Sequence, residues 1–252
     1  MKINKMLATF VFLLFIGINL YSQEPLKPLI VLIEQNPWLF VFGADSPSFA
    51  LYNNGEVIFI KRNDSKTMEY VHILLDAQTL KETIQKLSPQ DDFYNLKDYY
   101  DLTKGQTDQI TQILIVNLDG KNKKVRVYGN LSSDKEARKN APNSILDLFD
   151  KLIHYDNKNS KKWLPEKIEV MIWPNENARS KSISWPKDWP NLQDKNTKKR
   201  REDFYSIYMD SSKYEELLSL GKRSGGNTVI DGRIWAFSIR FPFPCEEVIF
   251  NN

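Results

Sequence analysis

The chain has 252 residues, 41% of them hydrophobic and 12% aromatic, which is enough apolar material for a sizeable core and far from a disordered composition. Its net charge of +3 includes Lys2 and Lys5; without residues 1–22 there remain 33 basic and 32 acidic side chains, so global charge does not point to nucleic acid. A single cysteine excludes an intramolecular disulfide, and Cys245 with the two histidines, His72 and His154, cannot complete a zinc set without carboxylates from elsewhere.

Lys2 and Lys5 precede an apolar run, Met6 to Leu20, that ends at Tyr21-Ser22 before the polar Gln23-Glu24. That pattern predicts a secretory signal peptide over 1–22, since the run is short for a membrane span and no basic stop-transfer flank follows. The alternative is a retained N-terminal anchor. Leu29 to Ile33 and Trp38 to Phe42, parted by Asn36-Pro37, read as strands. Phe49 to Arg62 reads as a hairpin over a two-residue Asn54-Gly55 turn, pairing Tyr52 with Val57 and Leu51 with Ile58. Both faces of that hairpin are apolar, so it must be covered on both sides.

Tyr70 to Leu75 is a further extended piece, and Asp76 is placed to cap a helix from Ala77 with Leu80, Ile84 and Leu87 as its buried stripe and Ser88-Pro89 as its stop. From Gln90 to Thr111, Asp91, Asp92, Asp98, Asp101 and Asp108 alternate with Phe93, Tyr94, Tyr99 and Tyr100. Carboxylates beside aromatics suit acid and base work on a glycan, or oxygen ligation of a cation. The competing reading is a connecting segment pinned by its rings, and the missing glycine and closing Glu argue against a calcium loop. Ile110 to Leu118 and Lys124 to Tyr128 form a second hairpin over residues 119–122, with a polar loop at 130–140 beyond it. Pro142 then opens a helix striped by Ile145, Leu148, Phe149 and Leu152.

Leu51-Tyr52 before a glycine turn, Phe93 to Tyr99, Thr107-Asp108, Gly120-Lys121 with Val125 to Gly129, and Ala141-Pro142 occur in an order that resembles a family of small uncharacterised domains of exported bacterial proteins. The resemblance spans residues 47–156 and implies a small α+β domain in an extracytoplasmic setting, with no catalytic residues to carry over.

Beyond Asn157 the composition shifts to Lys, Asn, Pro and Trp. Glu166 to Trp173 alternates as a strand, and the two Trp-Pro dipeptides at Trp185 and Trp189, with Trp173, suit an aromatic platform for a sugar or a polyproline segment. The opposing reading staples this segment onto a sheet face by its indoles. Lys198 to Arg201 is the one concentrated basic run, either a contact for an anionic partner or a solvated loop. Phe204 to Met209 reads as a strand, followed by Asp210 and Ser211-Ser212 capping a helix, with Ser212 and Glu215 at capping-box spacing and Gly221 at its end. A last hairpin turns at Asp231-Gly232. No Gly-x-Ser-x-Gly elbow, P-loop or dinucleotide glycine motif occurs.

The expected fold is α+β: an antiparallel sheet built from hairpins, with two to three helices mainly on one face, divided into 23–156 and 157–252, the latter either extending the same sheet or forming a second, closely packed subdomain. The expected function is a non-catalytic binding module of the cell envelope, exported and monomeric, whose partner is an envelope protein or a glycan. Its contact residues would be Trp173, Trp185, Trp189, Lys199, Arg200 and Arg201. No cofactor, metal, nucleic acid or membrane span after signal removal is expected. The alternative is a glycan-processing enzyme using carboxylates of the Asp91 to Asp101 region.

Overall fold

The computed structural model describes residues 24–37, 45–62, 68–176 and 182–251, so the expected signal peptide and the Trp38 to Phe42 strand lie outside the described residues. The first sheet comprises β1 (Pro28–Gln35), β2 (Pro47–Tyr52), β3 (Glu56–Arg62), β4 (Met68–Leu74), β5 (Tyr99–Asp101), β6 (Thr111–Leu118), β7 (Lys121–Tyr128) and β8 (Lys161–Lys162). Its order is β5-β7-β6-β1-β2-β3-β4-β8, antiparallel throughout except where β5 joins β7. The strands with apolar residues on both faces, β1, β2 and β6, are interior, as continuous apolar runs require.

The register of the first hairpin differs from expectation by one residue. Phe49 faces Phe59 and Leu51 faces Val57, because the loop is Asn53-Asn54-Gly55 and only Gly55 has positive φ, at 90°. Tyr52 carbonyl accepts from Gly55 N–H at 3.1 Å, the turn that precedes a left-handed glycine in three-residue hairpins. A Cβ at Gly55 would stand 2.4 Å from the Leu75 carbonyl oxygen, so the backbone leaving β4 packs directly on this turn. The two-residue turn falls instead at Asp119-Gly120, with φ of 50° and 74° and Leu118 opposite Lys121.

Helices α1 (Ala77–Leu87) and α3 (Asn143–Ile153) cover one face of this sheet, with a 3-10 turn at Asp91–Asn95 between them in sequence. Asp76 caps α1 by accepting from Thr79 N–H at 2.8 Å. Leu80, Ile84, Leu87, Phe93, Ile145, Leu148, Phe149 and Leu152 meet Ile30, Leu32, Phe49, Leu51, Leu114 and Val116 in one core. The expected polar loop at 130–140 holds a short helix, α2 (Lys135–Asn140), capped by Asp134 and anchored by the buried Ala137. Its charged composition left only one apolar position to reveal it.

The second sheet contains β9 (Lys167–Pro174), β10 (Ile183–Ser184), β11 (Thr197–Arg201), β12 (Phe204–Asp210), β13 (Asn227–Ile230) and β14 (Arg233–Arg240), in the order β10-β13-β14-β9-β12-β11. Helix α4 (Tyr214–Ser224) packs on one of its faces through Leu217 and Leu220. Asp210, one of the expected capping residues, caps the preceding turn by accepting from Ser212 N–H at 2.9 Å. The helix also runs past Gly221 to a left-handed Gly225. Gly221 lies inside the helix, where a Cβ would touch the Phe237 ring at 3.5 Å.

Two expectations are corrected here. The chain forms two sheets, and its five described helices lie on several faces: α4 on the second sheet, and α5 (Glu246–Asn251) on the first sheet opposite α1 and α3. The second face of the first sheet is covered by Trp163, Phe241, Phe243 and Ile249 over Val31, Ile33, Ala50, Tyr52, Ile58, Ile113 and Ile115. Trp185 and Trp189 take no part in that cover. Tyr52 donates its hydroxyl to the Pro244 carbonyl at 3.0 Å, and the Cys245 thiol donates to the Leu26 carbonyl at 3.1 Å. Burial pushes that thiol above its usual pKa, consistent with a packing role.

Candidate functional site

Trp185 and Trp189 are 7% and 5% exposed, in edge contact at 5.1 Å, with the Trp185 indole N–H donating to the Pro190 carbonyl at 2.8 Å. They fill the core between α4 and the second sheet together with Phe237, so the expected platform is corrected: these indoles are interior. Trp173 is half-buried on β9 opposite Ala236. Lys199 and Arg201 lie on the edge strand β11 over the rings of Tyr205 and Phe204, so the basic run is a strand rather than a loop. Arg200 projects from the opposite face and reaches the buried Glu169, its own side chain remaining 46% exposed.

Asp91, Asp92, Asp98 and Asp101 are all exposed. Asp98 is 86% exposed and pairs with Lys123 at 2.7 Å; Asp101 accepts from the Thr103 N–H and hydroxyl, which hold its carboxyl below the usual range. A glycosidase acid needs a shielded carboxyl with a raised pKa, and none of these four has that shielding.

The structure instead assembles a cleft of about 930 Å³ between the first sheet and the end of β14 with helix α4. Its carboxylates are Glu34 at the end of β1, Asp45 in the segment entering β2 and Glu69 on β4; its cations are Arg62, Lys162 and Arg240, which end β3, β8 and β14. Glu34 stands where the apolar Leu29 to Ile33 run gives way to Glu34-Gln35 and the strand leaves the core. Glu34 is ion-paired with Arg62. Asp45 accepts from Asn36 N–H at 3.1 Å; burial pushes its carboxyl up, against the opposing pull of that N–H and of Arg240.

The aromatic wall consists of Tyr70, Trp163, Tyr214 and Phe241. Tyr70 stands 6.0 Å from Trp163 and 5.7 Å from Phe241, while Tyr214 meets Phe241 at 5.3 Å. Burial pushes the Tyr70 hydroxyl up to about 12, so it remains a neutral donor across the physiological range. Two bonds lock the wall: Trp163 N–H donates to the Tyr70 carbonyl at 2.9 Å, and the Ser46 hydroxyl to the Phe241 carbonyl at 3.0 Å.

Behind the cleft lies a buried charge network. Glu169 accepts from Arg240 and Arg200, each at 2.7 Å, and from the Ser206 hydroxyl; Arg240 also holds Glu246. Burial alone would raise the Glu169 carboxyl, but Ser206 and the two guanidinium groups outweigh it and hold it low. None of the six expected contact residues lines the large cleft. Sequence reading missed Glu34, Asp45 and Arg62 because they sit singly at strand ends, and only the break of an apolar run at Glu34 marks any of them.

No cluster of three metal-ligating side chains occurs among the described residues, and no described helix is long and apolar enough to cross a membrane. No protein family, curated protein or solved structure matches this chain.

Proposed function

We propose that this protein is an exported binding module of the cell envelope that holds a glycan in the cleft between its two sheets. The observation that carries the reading is the cleft itself, where four aromatic rings stand beside the fixed Glu34–Arg62 pair. Sugar rings offer apolar faces for stacking and hydroxyls for charged hydrogen-bonding groups, and this wall supplies both. The N-terminal pattern of Lys2, Lys5 and Met6 to Leu20, and the resemblance of residues 47–156 to domains of exported proteins, support the extracytoplasmic address.

The test is a fluorescence titration with soluble peptidoglycan fragments, since Trp163 lines the cleft. The wild type quenches saturably, and Arg62→Ala with Glu34→Gln weakens binding at least tenfold at an unchanged melting temperature. Equal binding by that variant defeats the assignment. A second reading rests on Asp45, whose raised pKa in the same cleft suits a general acid. If the protein hydrolyses the fragments and Asp45→Asn binds them without turnover, the cleft is catalytic.

A further inference from the structure

The cations that line the large cleft are already engaged. Arg62 pairs with Glu34, Lys162 lies 3.5 Å from Glu215, and Arg240 holds Glu169 at 2.7 Å together with Glu246. Of the three lining carboxylates, Glu34 alone has an ion pair among the described residues, while Asp45 and Glu69 have none. Lys61, opposite Glu69 in the pairing of β3 with β4, lies 3.9 Å from Asp156 instead. Asp45 takes its hydrogen bonds from neutral groups, the Asn36 N–H and the Gln35 side chain. Arg240 donates to the Asp45 backbone carbonyl at 3.4 Å and so acts on the carboxyl only through space.

These two carboxylates flank the aromatic wall. Asp45 adjoins Ser46, whose hydroxyl bonds the Phe241 carbonyl at 3.0 Å and whose side chain also meets the Tyr70 hydroxyl. Glu69 lies at the other end, within electrostatic reach of Tyr214: burial raises that phenol first, and Glu215 and Glu69 raise it further against the pull of Lys162. Between the two ends runs the row Tyr70, Phe241, Tyr214, with ring centres 5.7 and 5.3 Å apart. The wall already receives one ammonium, since Lys162 Nζ stands 5.6 Å from the centre of the Tyr214 ring. The negative face of an aromatic ring attracts such a cation, and a neighbouring carboxylate adds to the attraction.

We propose that the glycan held in this cleft is an amino-sugar oligomer with free, protonated amino groups, one set against Asp45 and another against Glu69, its sugar faces resting on Tyr70, Phe241 and Tyr214. This rests on the glycan reading above and narrows it to a cationic ligand. Ammonium groups meet both carboxylates through charge-assisted hydrogen bonds, at a wall that itself favours cations. An N-acetylated sugar offers each carboxylate no more than a neutral amide N–H. A uronic acid or a phosphorylated sugar would bring a negative charge to Asp45 and Glu69, with every lining cation already engaged.

Fluorescence titration of the full chain with the glucosamine tetramer and with its fully N-acetylated counterpart tests this, read through Trp163. The expected result is saturable quenching by the free-amine tetramer, with a Kd at least tenfold below that of the acetylated one and a preference that shrinks as sodium chloride is raised. Asp45→Asn, which keeps an oxygen for the Asn36 N–H, and Glu69→Gln, at an exposed position, are each expected to cut that preference at least threefold. Melting temperature establishes that each variant is folded. The proposal is overturned, with the glycan reading left standing, if the acetylated tetramer binds as tightly or if the preference survives in the folded variants. It is equally overturned if neither tetramer binds, and the peptidoglycan titration then decides the glycan reading separately.

Discussion

Glu169 shows how much a single buried charge depends on its partners. With its side chain 2% exposed and two arginines on it at 2.7 Å, removing the charge leaves Arg240 buried with an unbalanced partner set. Glu169→Gln is expected to cost about 3–5 kcal/mol in urea unfolding, whereas Lys198→Gln on the exposed edge strand stays within about 0.5 kcal/mol. The sign with pH follows from the lowered carboxyl. The unfolded chain takes up this proton first, so the contribution is present above the ordinary Glu value of about 4.3 and is lost as pH falls through the lower folded value. The acid limb of the stability profile is therefore shallower in Glu169→Gln. Gln112 is the opposite case: its amide is fully buried on β6 with no partner among the described residues, so Gln112→Leu is expected to raise stability by about 1–3 kcal/mol in the same measurement.

Among the elements, α4 and the segment before it behave as a lid on the second sheet. Trp185 and Trp189 fill the space between them, and their truncation leaves a cavity the size of an indole beside Phe237. Trp185→Ala is expected to cost about 3–5 kcal/mol by urea unfolding, an outcome that a surface platform would not produce. At the first hairpin, Gly55→Ala forces a Cβ against the Leu75 carbonyl at a φ of 90° and is expected to cost more than about 1 kcal/mol. Gly120→Ala, where nothing lies within 4 Å of the added Cβ, bears only the strain of positive φ and costs less.

For the molecule as a whole, the C-terminal tail closes the structure. β14 leaves the second sheet at Arg240, and the chain then crosses to the first sheet, where Phe243 and Ile249 cover Ile33, Tyr52, Ile58 and Ile113. Deleting residues 246–252 uncovers that apolar face and removes Glu246 from Arg240. The truncated protein is expected to bind 1-anilinonaphthalene-8-sulfonate and to self-associate in sedimentation, while the intact chain does neither. The cleft draws its lining from strands far apart in sequence, with Glu34 on β1 and Arg240 on β14.

The residue pattern by itself determined the local features whose cause is local. Asp76 before an amphipathic stripe, Pro142 opening α3 and Asp231-Gly232 turning the last hairpin each need only neighbouring residues, and each is found in place; β9 is found as a strand, but it is buried on both faces where its alternation suggested one. The two apolar faces of the first hairpin also dictated that both be covered. The sequence could not decide what covers them. That depends on the path of residues 241–251, whose Pro-rich start and short helix carry no periodic signal. The hairpin register lay equally out of reach, because with both faces apolar a one-residue slip exchanges one greasy face for another and hydrophobic pattern gives no preference. The burial of Trp185 and Trp189 was out of reach for the same reason. Whether Trp185 is wall or core, and whether Glu34, Asp45 and Arg62 meet, is fixed by the packing of two sheets against each other, and tertiary contact alone supplies that geometry.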